Sequence, residues 1–552
     1  MKGFAKLSAV LCLGSVLFET RLQAQDEAGA VLYNGIRLPE AWPPANAFLA
    51  GQPMPVPYLT NRPTVIPIDL GRQLFVDDFL IESTKLKRSF HPVEFYPENP
   101  ILKPDQLWER EGRGPMAMAF SDGAWFDPQD RLFKMWYMGG YARSTCYAVS
   151  KDGIHWEKPM LDVKPGTNIV QPDVRDSSTV WLDLEERDPK RRYKMFRSHG
   201  GPPDGRFGLS IHVSADGIHW SEPLIRTGSC GDRTTVFWNP FRQVWVYSLR
   251  HGWGQPRSRR YWENHDLFTG KQWTRIDEPP MWVGSDHLDP PRLDLKVTPQ
   301  LYNLDAVAYE SLMLGLFTIW RGDLNIPPGR PKPNEVCLGF SRDGFHWDRP
   351  DRRPFIPVSE RQGDWNWGNV QSAGGGCLVV GDKLYFYFSG RGGVVNNRDA
   401  GGATGLAFLR RDGFASMDAG AEEGTLTTRL VQFRGRRLFV NANTQAGELR
   451  VEILDESGKI ISPFGRDECE PLRADKTLQT VNWKGATDLS RLVGKGVKFR
   501  FHVKQGNLFA FWVSPDKSGS SLGYVAAGGP GFTGPTDTVG VAGYQDRSAE
   551  SR

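Results

Sequence analysis

The sequence predicts an all-β protein, a five-bladed β-propeller followed by a β-sandwich domain. Three observations support this fold class. Glycine (60 residues) and proline (40 residues) interrupt the chain too often for long helices. A seven-residue turn motif recurs along the middle of the chain, and strands with a different pattern follow its last copy. A chain of 552 residues is long enough to bury more than one hydrophobic core.

The composition excludes several classes of protein. A net charge of +4 is no indication of nucleic-acid binding. Charged residues at 24% and hydrophobic residues at 39% argue against a disordered chain and against a membrane bundle. The cysteines after the N-terminal segment are widely spaced and form no C-x-x-C pair, so they are interpreted as buried small hydrophobic residues, with one or two isolated disulfides left open. These are Cys146, Cys230, Cys337, Cys377 and Cys469.

The first residues have the pattern of an export signal. Lys2 and Lys6 precede an apolar run over residues 7–18, which is too short to cross a bilayer. We therefore predict a cleaved signal peptide over residues 1–24, a secreted or periplasmic protein, and no membrane span in the mature chain. A buried strand is the alternative interpretation of this run. Residues 25–70 are expected to form an N-terminal extension.

A repeat of about 64 residues organises the middle of the chain. The segment 150–156 (SKDGIHW) recurs at 214–220 (SADGIHW) and 341–347 (SRDGFHW), and a degenerate copy lies at 410–416. The interval between the second and third copies spans about two periods, so we expect a blade without the motif there, with Trp262 to Trp273 in the equivalent place. Five units therefore lie between about residue 100 and residue 418.

Each unit is expected to form one blade of a propeller. The order strand, turn, strand, strand, D-G turn, strand describes a four-stranded sheet, and five such sheets predict a propeller over residues 71–419. In the D-G-x-H-W motif the Asp and Gly suit a tight turn, and the Trp is expected to fill the space between neighbouring sheets. His155, His219 and His346 are therefore interpreted as structural rather than catalytic.

The pattern changes after the propeller. Alternating strands separated by glycine turns predict a β-sandwich over residues 420–515. The glycine-rich segment beyond it, residues 516–552, is expected to be a loose tail. It lacks the strand-glycine-helix context of a phosphate-binding loop.

In each blade the first strand begins and the second strand ends on the same face of the propeller. Residues at these two positions are therefore expected to converge on the axis, and we take them as candidate functional residues. The acidic candidates for catalysis are Asp122, Asp176, Asp232 and Asp305. The candidates for substrate binding are Arg143, Arg197, His199, Arg250, His251, Arg321, Gln371, Arg391 and Trp367. Carboxylates around one narrow mouth suit glycoside hydrolysis, which needs one protonated and one ionised carboxyl group. The alternative is that these Asp residues cap strands and pair with Arg to close the central channel.

The excess of arginine at this face predicts an anionic sugar as substrate. Guanidinium groups match sulfate or carboxylate with two parallel hydrogen bonds, so we expect a sulfated or uronic polysaccharide or its oligosaccharides. Trp253, Trp320, Trp365 and Trp367 lie in candidate mouth loops and suit stacking on a sugar ring or packing in the core. No cofactor is expected; a structural cation would fit the central channel, although no ligand spacing specifies one.

The S-x-D-G-x-x-W turns and the sandwich that follows segment 409–414 resemble the furanosidase superfamily, the five-bladed glycoside hydrolases of families 32, 43, 68 and 117. The resemblance covers about residues 70–515, and the arrangement of domains is most similar to that of family 32. It implies that Asp122 acts as nucleophile or base and that Asp176 stabilises the transition state. Where the superfamily has its acid, a Glu in blade three, this chain has Asp232, and Asp305 of blade four is the other candidate.

Three hypotheses of function remain at this point. The first is a secreted glycoside hydrolase that cleaves a complex, anionic polysaccharide. The second is a propeller that binds carbohydrate without catalysis, and the third is a protein-interaction propeller, which would present an apolar patch at its mouth instead of charges. Nothing in the sequence specifies an oligomeric state.

Overall fold

A computed structural model describes residues 29–44, 48–200, 207–252, 256–323, 330, 332–393 and 401–544. The predicted signal peptide lies outside these residues. The described chain consists almost entirely of β-strands, so the all-β fold class is confirmed. Within it, no helix has the length and apolar character that crossing a membrane requires.

A short helix and five short strands precede the propeller. The helix is α1 (Pro57–Thr60), and the strands are β1 (Ile66–Pro67), β2 (Gln73–Leu74), β3 (Ile81–Thr84), β4 (Lys87–Phe90) and β5 (Glu94–Phe95). These strands pair with partners from distant parts of the chain rather than with one another.

Five antiparallel sheets then follow in the order of the five sequence units, and we call them blades 1 to 5. Blade 1 contains β6 (Ala117–Met118), β7 (Ala124–Asp127), β8 (Leu132–Gly139), β9 (Ser144–Ser150) and β10 (Ile169–Gln171). Blade 2 contains β11 (Ser178–Leu182), β12 (Tyr193–Gly200), β13 (Phe207–Ser214) and β14 (Ile225–Ser229). Blade 3 contains β15 (Thr235–Asn239), β16 (Val244–His251), β17 (Ser258–Asn264) and β18 (Met281–Gly284). Blade 4 contains β19 (Gln300–Glu310), β20 (Leu312–Trp320) and β21 (Asn334–Ser341). Blade 5 contains β22 (Asn369–Ser372), β23 (Leu378–Val380), β24 (Lys383–Arg391) and β25 (Gly402–Arg410).

The N-terminal strand β5 completes blade 5. It pairs with β25 in antiparallel register, Phe95 opposite Ala407 and Glu94 opposite Phe408. Because β5 precedes blade 1 in the sequence but belongs to the sheet of blade 5, the first and last parts of the propeller are joined by backbone hydrogen bonds.

The D-G turns are held by their own side chains. In the first copy the hydroxyl of Ser150 accepts a hydrogen bond from the N–H of Gly153 (2.9 Å). A carboxylate oxygen of Asp152 accepts from the N–H groups of Ile154 and His155 (both 2.8 Å), and the other carboxylate oxygen bonds His155 Nδ1 (2.7 Å). The copies at 214–220 and 341–347 repeat these bonds. The histidines therefore brace the turns.

Each of these turns also receives a hydrogen bond from the preceding blade. The Tyr387 hydroxyl of blade 5 donates to the carbonyl of Gly153 (2.6 Å), and Trp136 Nε1 of blade 1 donates to the carbonyl of Gly217 (2.8 Å). Trp282 Nε1 of blade 3 donates to the carbonyl of Phe345 in blade 4 (2.9 Å). The motif residue Trp156 packs edge-on against Tyr387, with ring centroids 5.5 Å apart. The structural role predicted for the motif is confirmed at these seams.

The cysteines of the described chain are buried and unpaired. This holds for Cys146, Cys230, Cys337, Cys377 and Cys469, so their interpretation as small buried hydrophobic residues is confirmed. Burial raises the pKa of the Cys146 thiol to about 12, which keeps it protonated at neutral pH.

The second domain is a sandwich of two sheets. Its strands after the propeller are β26 (Ala415–Ala419), β27 (Gly424–Thr428), β28 (Val431–Gln432), β29 (Arg437–Asn443), β30 (Glu448–Leu454), β31 (Asp475–Thr480), β32 (Lys498–Lys504) and β33 (Gly506–Ser514). One sheet has the order β31-β29-β33-β26-β4 with β2 also paired to β33, and the other has the order β3-β27-β32-β30. Strands β2 to β4 thus belong to the sandwich, and the boundary predicted at residue 71 does not follow the sheets. These strands are too short to show an alternating pattern.

The segment over residues 516–544 is packed, which corrects the prediction of a loose tail there; the rest of the predicted tail, residues 545–552, lies outside the described residues. Its strand β34 (Tyr524–Val525) pairs with β19 of blade 4, and Asp537 is fully buried. A Cβ on Gly529 would lie 1.8 Å from the carbonyl oxygen of Val379. Glycine in this segment therefore permits close backbone approach instead of providing mobility.

A buried cluster of charged side chains joins the propeller, the sandwich and the C-terminal segment. Arg72 bonds Asp412 (2.9 Å), while Arg411 bonds both Glu310 (3.2 Å) and Asp537 (3.1 Å). All five side chains are fully excluded from solvent. Each charge is stabilised only by its partners, because water cannot reach the cluster to replace a partner that is removed.

Arg72→Met is expected to lower the free energy of unfolding by about 3–5 kcal/mol, because it leaves the buried Asp412 carboxylate without a counter-ion. Urea denaturation of the full chain measures the change. The matched control is Arg275→Met, which breaks an exposed ion pair with Asp277 and is expected to cost about 0–1 kcal/mol. Equal losses in the two variants would contradict this account.

Candidate active site

Asp122 lies at the centre of the propeller, in a short 3₁₀ helix, Phe120–Asp122, that interrupts the first strand of blade 1 between β6 and β7. The turn is possible because Gly123 has a φ of +95° and approaches the backbone of Gly374 so closely that a Cβ would lie 2.6 Å away. This turn directs the Asp122 side chain into the interior.

Asp122 is held by a partner that the sequence did not reveal. Both of its carboxylate oxygens accept hydrogen bonds from Arg175, one at 2.8 Å, and Arg175 also donates to the hydroxyl of Thr145 (3.1 Å). Neither charged side chain has exposed surface. Burial raises the pKa of Asp122 to about 7, against the opposing effect of Arg175 and Arg233. Asp122 therefore offers no surface to a substrate, which does not fit the role of nucleophile that the resemblance implies.

Asp305 is also buried, and it connects three blades. It accepts hydrogen bonds from Asn303 Nδ2 (2.8 Å) and from the hydroxyl of Ser372 in blade 5. Asn303 also donates to the hydroxyl of Ser121 in blade 1 (2.9 Å). Burial raises the pKa of Asp305. This arrangement matches the alternative in which an Asp closes the central channel.

Asp176 and Asp232 differ from the other two because both are partly exposed. Asp176 accepts a hydrogen bond from the N–H of Ser177 (2.8 Å), and Asp232 forms an ion pair with Arg250. Burial and the negative charge of Asp232 raise the pKa of Asp176. Two interacting carboxyl groups from neighbouring blades are thus accessible at the mouth.

Arg233 stands among the four carboxyl groups and was missed by the sequence analysis. It is buried, its Nη2 donates to Gln371 Oε1 (2.6 Å), and its guanidinium lies 4.2 Å from the centre of the Phe120 ring. Its charge lowers the pKa of Asp122, Asp176 and Asp305. The φ of Arg233 is +55°, a left-handed conformation that strand alternation does not predict.

Most of the arginines predicted to bind an anionic substrate are paired with carboxylates. The pairs are Arg143 with Glu111 (3.2 Å), Arg197 with Asp173 (3.1 Å), Arg250 with Asp232, and Arg321 with Glu335 (2.9 Å). Arg391 forms no ion pair among the described residues, and its guanidinium lies 4.8 Å from the centre of the Tyr141 ring. The sequence identified arginines at this face but not which of them have local counter-ions.

The remaining predicted residues have separate environments. His251 is half-buried and accepts a hydrogen bond from Arg260 Nε (3.2 Å); burial and the charge of Arg260 lower its pKa. Trp367 is half-buried beneath Arg330, whose guanidinium lies 5.0 Å from the ring centre. Gln371 accepts the hydrogen bond from Arg233 through its Oε1 atom. The side chain of His199 and the whole of Trp253 lie outside the described residues. Trp365 packs against Phe388 with ring centroids 5.5 Å apart, so it belongs to the core.

A group of aromatic and cationic side chains lies beside the mouth. Tyr302 and Trp320 meet edge-on at 6.1 Å. The Arg257 guanidinium lies 4.7 Å and 5.0 Å from their ring centres, and Lys332 Nζ lies 5.7 Å and 5.9 Å from them. Burial raises the pKa of Tyr302, but Lys332, Arg257 and Arg233 outweigh it, so the pKa is lowered to about 8. Neither Arg257 nor Lys332 forms an ion pair with another described residue.

No group of three or more His, Cys, Asp or Glu side chains is placed to hold a metal ion in the part of the chain that the structure describes. The structural cation considered for the central channel stays a prediction.

No protein-family model and no curated protein matches the chain. Solved structures do align with it. A glycosyl hydrolase from Bacteroides ovatus is 13% identical over 60% of this chain and 97% of its own, with a TM-score of 0.40. A thermostable family-43 glycoside hydrolase is 12% identical over 55% of this chain and 93% of its own, at 0.37. An exo-β-1,3-galactanase from Phanerochaete chrysosporium is 10% identical over 74% of this chain and 99% of its own, at 0.33. Because these values do not establish a shared activity, the function is inferred from the residues of the mouth.

Asp122→Asn is expected to flatten the pH dependence of stability between pH 4 and pH 7. The native pKa of about 7 lies above the ordinary value of about 3.9, so the native state holds a proton that the unfolded state releases in this range. Stability from this group is fully present below pH 4 and is lost as the pH rises towards 7, by about 4 kcal/mol at most.

Unfolding free energies from urea titrations at pH 4 and pH 7 measure this loss. The control Asp467→Asn changes an exposed carboxylate and is expected to keep the pH dependence of the unaltered protein. An unchanged pH dependence in Asp122→Asn would show that Asp122 is already ionised at low pH.

Proposed function

We propose that the protein is a glycoside hydrolase whose reaction takes place at the mouth of the propeller. The observation that carries the proposal is the pair Asp176 and Asp232, which are partly exposed, come from neighbouring blades and interact through their charges. Hydrolysis of a glycosidic bond needs one carboxyl group that is protonated and one that is ionised. Asp176, whose pKa is raised, suits the protonated role, and Asp232, which is ion-paired with Arg250, suits the ionised role.

The roles follow from the surroundings of each carboxyl group. Asp176, whose pKa is raised, donates a proton to the leaving glycosidic oxygen. Asp232, ion-paired with Arg250, attacks the sugar or activates water. Arg233 lies between the blades as a fixed positive charge near both groups. Asp122 and Asp305 act as buried supports, since each is satisfied by protein partners rather than by substrate.

We propose further that the protein is exported and that its substrate is an anionic polysaccharide or its oligosaccharides. The apolar run over residues 7–18 supports secretion. Arg257, Lys332 and Arg391 support a sulfated or uronic sugar, because none of them forms an ion pair with a described residue. The buried rings of Tyr302 and Trp320 pack against the Arg257 guanidinium and support it beside the mouth.

A propeller that binds carbohydrate without catalysis is the second candidate. The observation that favours it is that Asp122, Asp305 and Asp232 all have protein partners, as expected for carboxylates that only close and brace a channel. Turnover by variants of the exposed pair distinguishes the two functions.

Asp176→Asn is expected to reduce kcat on a natural polysaccharide by about 10²–10⁴-fold, because the leaving oxygen then receives no proton. The variant should lose far less activity on an aryl glycoside of the same sugar, because this substrate has a good leaving group.

Asp232→Gly is expected to lose turnover on both substrates and to recover part of it with added azide, which fits the space of the missing carboxylate. Sugar release from a panel of polysaccharides identifies the substrate, and steady-state kinetics give the ratios.

The control for this pair is Asp188→Asn, an exposed carboxylate in the turn between β11 and β12, which should leave kcat unchanged. Full turnover in Asp176→Asn would contradict the assignment of the acid. Tight glycan binding without sugar release from any member of the panel would favour the binding propeller.

Arg391→Gln is expected to weaken binding of a sulfated oligosaccharide about tenfold and to leave binding of its desulfated counterpart unchanged. Raising the salt concentration should weaken only the sulfated ligand, since salt screens charge. Calorimetric titration of the two matched ligands measures the difference. Equal affinity of the unaltered protein for both ligands would remove the anionic substrate from the proposal.

A further inference from the structure

A cleft of about 680 Å³ opens beside the mouth on the outer side of blade 3, and we call it the side cleft. Its walls are the start of β17, the end of β18, the loop over residues 285–299 and the N-terminal segment at residues 48–51. The N-terminal segment is attached to the loop: the N–H of His287 donates to the carbonyl of Gly51 (3.0 Å). The volume lies in the range of cavities that bind small ligands.

Arg257 lies between the side cleft and the mouth. This residue lines the cleft, and its guanidinium also lies over the rings of Tyr302 and Trp320. Its backbone is fixed at this junction, since its N–H donates to Gln300 Oε1 (3.0 Å) and its carbonyl accepts from the N–H of Leu301 (3.0 Å). Its Nη1 is buried and has no hydrogen-bond partner among the described residues. A guanidinium group with an unsatisfied donor therefore lies between the mouth and the cleft.

The accessible charge of the side cleft is positive. Two carboxylates line it, but Asp286 is bonded by Arg352 (2.6 Å) and Asp289 by Arg349 (2.9 Å). Lys296 on the opposite wall forms no ion pair with any residue that the structure describes. Apolar surface from Phe48, Met281, Val297 and several prolines makes up the rest of the wall. Cations beside apolar surface suit a ligand with an acidic group and a hydrocarbon face.

We propose that the side cleft binds a second acidic sugar unit of the glycan whose reacting bond lies in the mouth. The inference rests on the proposed function for its substrate and adds a separate subsite to it. Arg257 and Lys296 hold the acidic group, and the apolar wall contacts the sugar face. Affinity should therefore increase with the length of the oligosaccharide, and the increase should depend on Lys296.

The experiment compares sulfated galactan oligosaccharides of two and six units by calorimetric titration. All proteins carry Asp176→Asn, so that the ligands are not consumed. The six-unit ligand is expected to bind about tenfold more tightly than the two-unit ligand. Adding Lys296→Gln should abolish this tenfold advantage and leave the two-unit affinity unchanged. Adding Arg391→Gln, which alters the mouth, should weaken both ligands by the same factor, and Lys190→Gln in the turn between β11 and β12 should weaken neither.

The inference is overturned if Lys296→Gln weakens both lengths equally, weakens neither, or if length does not affect affinity. Its failure is distinguishable from failure of the proposed function, because the length dependence is a binding measurement. Persistent turnover in Asp176→Asn and Asp232→Gly would remove the hydrolase mechanism while a Lys296-dependent length effect would still support the cleft. Loss of turnover in those variants without any length effect would keep the hydrolase and remove the cleft.

Discussion

Pairing between β5 and β25 joins the segment that leads into blade 1 to the sheet of blade 5, and the geometry of the mouth depends on this closure. Several contacts at the axis cross between blades. Arg175 of blade 2 reaches Asp122 of blade 1, and Arg233 of blade 3 reaches Gln371 of blade 5. A ring that opened at the β5 seam would separate these partners and leave buried charges uncompensated. The polar interior is stable only because the ring fixes its members at hydrogen-bonding distance.

Burial divides the four central carboxyl groups into two kinds. Asp122 and Asp305 are enclosed and satisfied by the protein, so they hold their partners in place at the mouth without contacting a ligand. Asp176 and Asp232 keep exposed surface, and burial and the negative charge of Asp232 raise the pKa of Asp176. Arg233 is shared by both kinds, and its positive charge limits how far burial raises the pKa of Asp122, Asp176 and Asp305. One cation therefore makes it feasible to concentrate acidic groups in a narrow space.

The repeat made the blades and the positions of the four Asp residues predictable from the sequence, because strand starts on one face of a propeller converge whatever their local environment. Exposure was not predictable: Asp122 and Asp176 occupy similar places in their units, yet only Asp176 faces solvent. The partners were also hidden, since Arg233 depends on a left-handed backbone and Arg175 on a neighbouring blade. The paired arginines look the same in sequence as Arg391, which forms no ion pair with a described residue. Strands β2 to β4 were missed because two to four residues show no periodicity. The packing of the C-terminal segment was missed because its glycines allow close backbone contacts, whereas a glycine-rich sequence is usually interpreted as flexible.

The sandwich takes β2, β3 and β4 from before the propeller and the rest of its strands from after it. Those early strands leave the ribosome more than three hundred residues ahead of β26, β27 and β33, with which they pair. The sandwich sheets are thus assembled only when nearly the whole polypeptide has been synthesised, and the propeller forms as an insertion between their two halves. Recombination that exchanged either domain as a contiguous gene fragment would leave unpaired strand edges in the product, so the two domains are constrained to evolve as one unit.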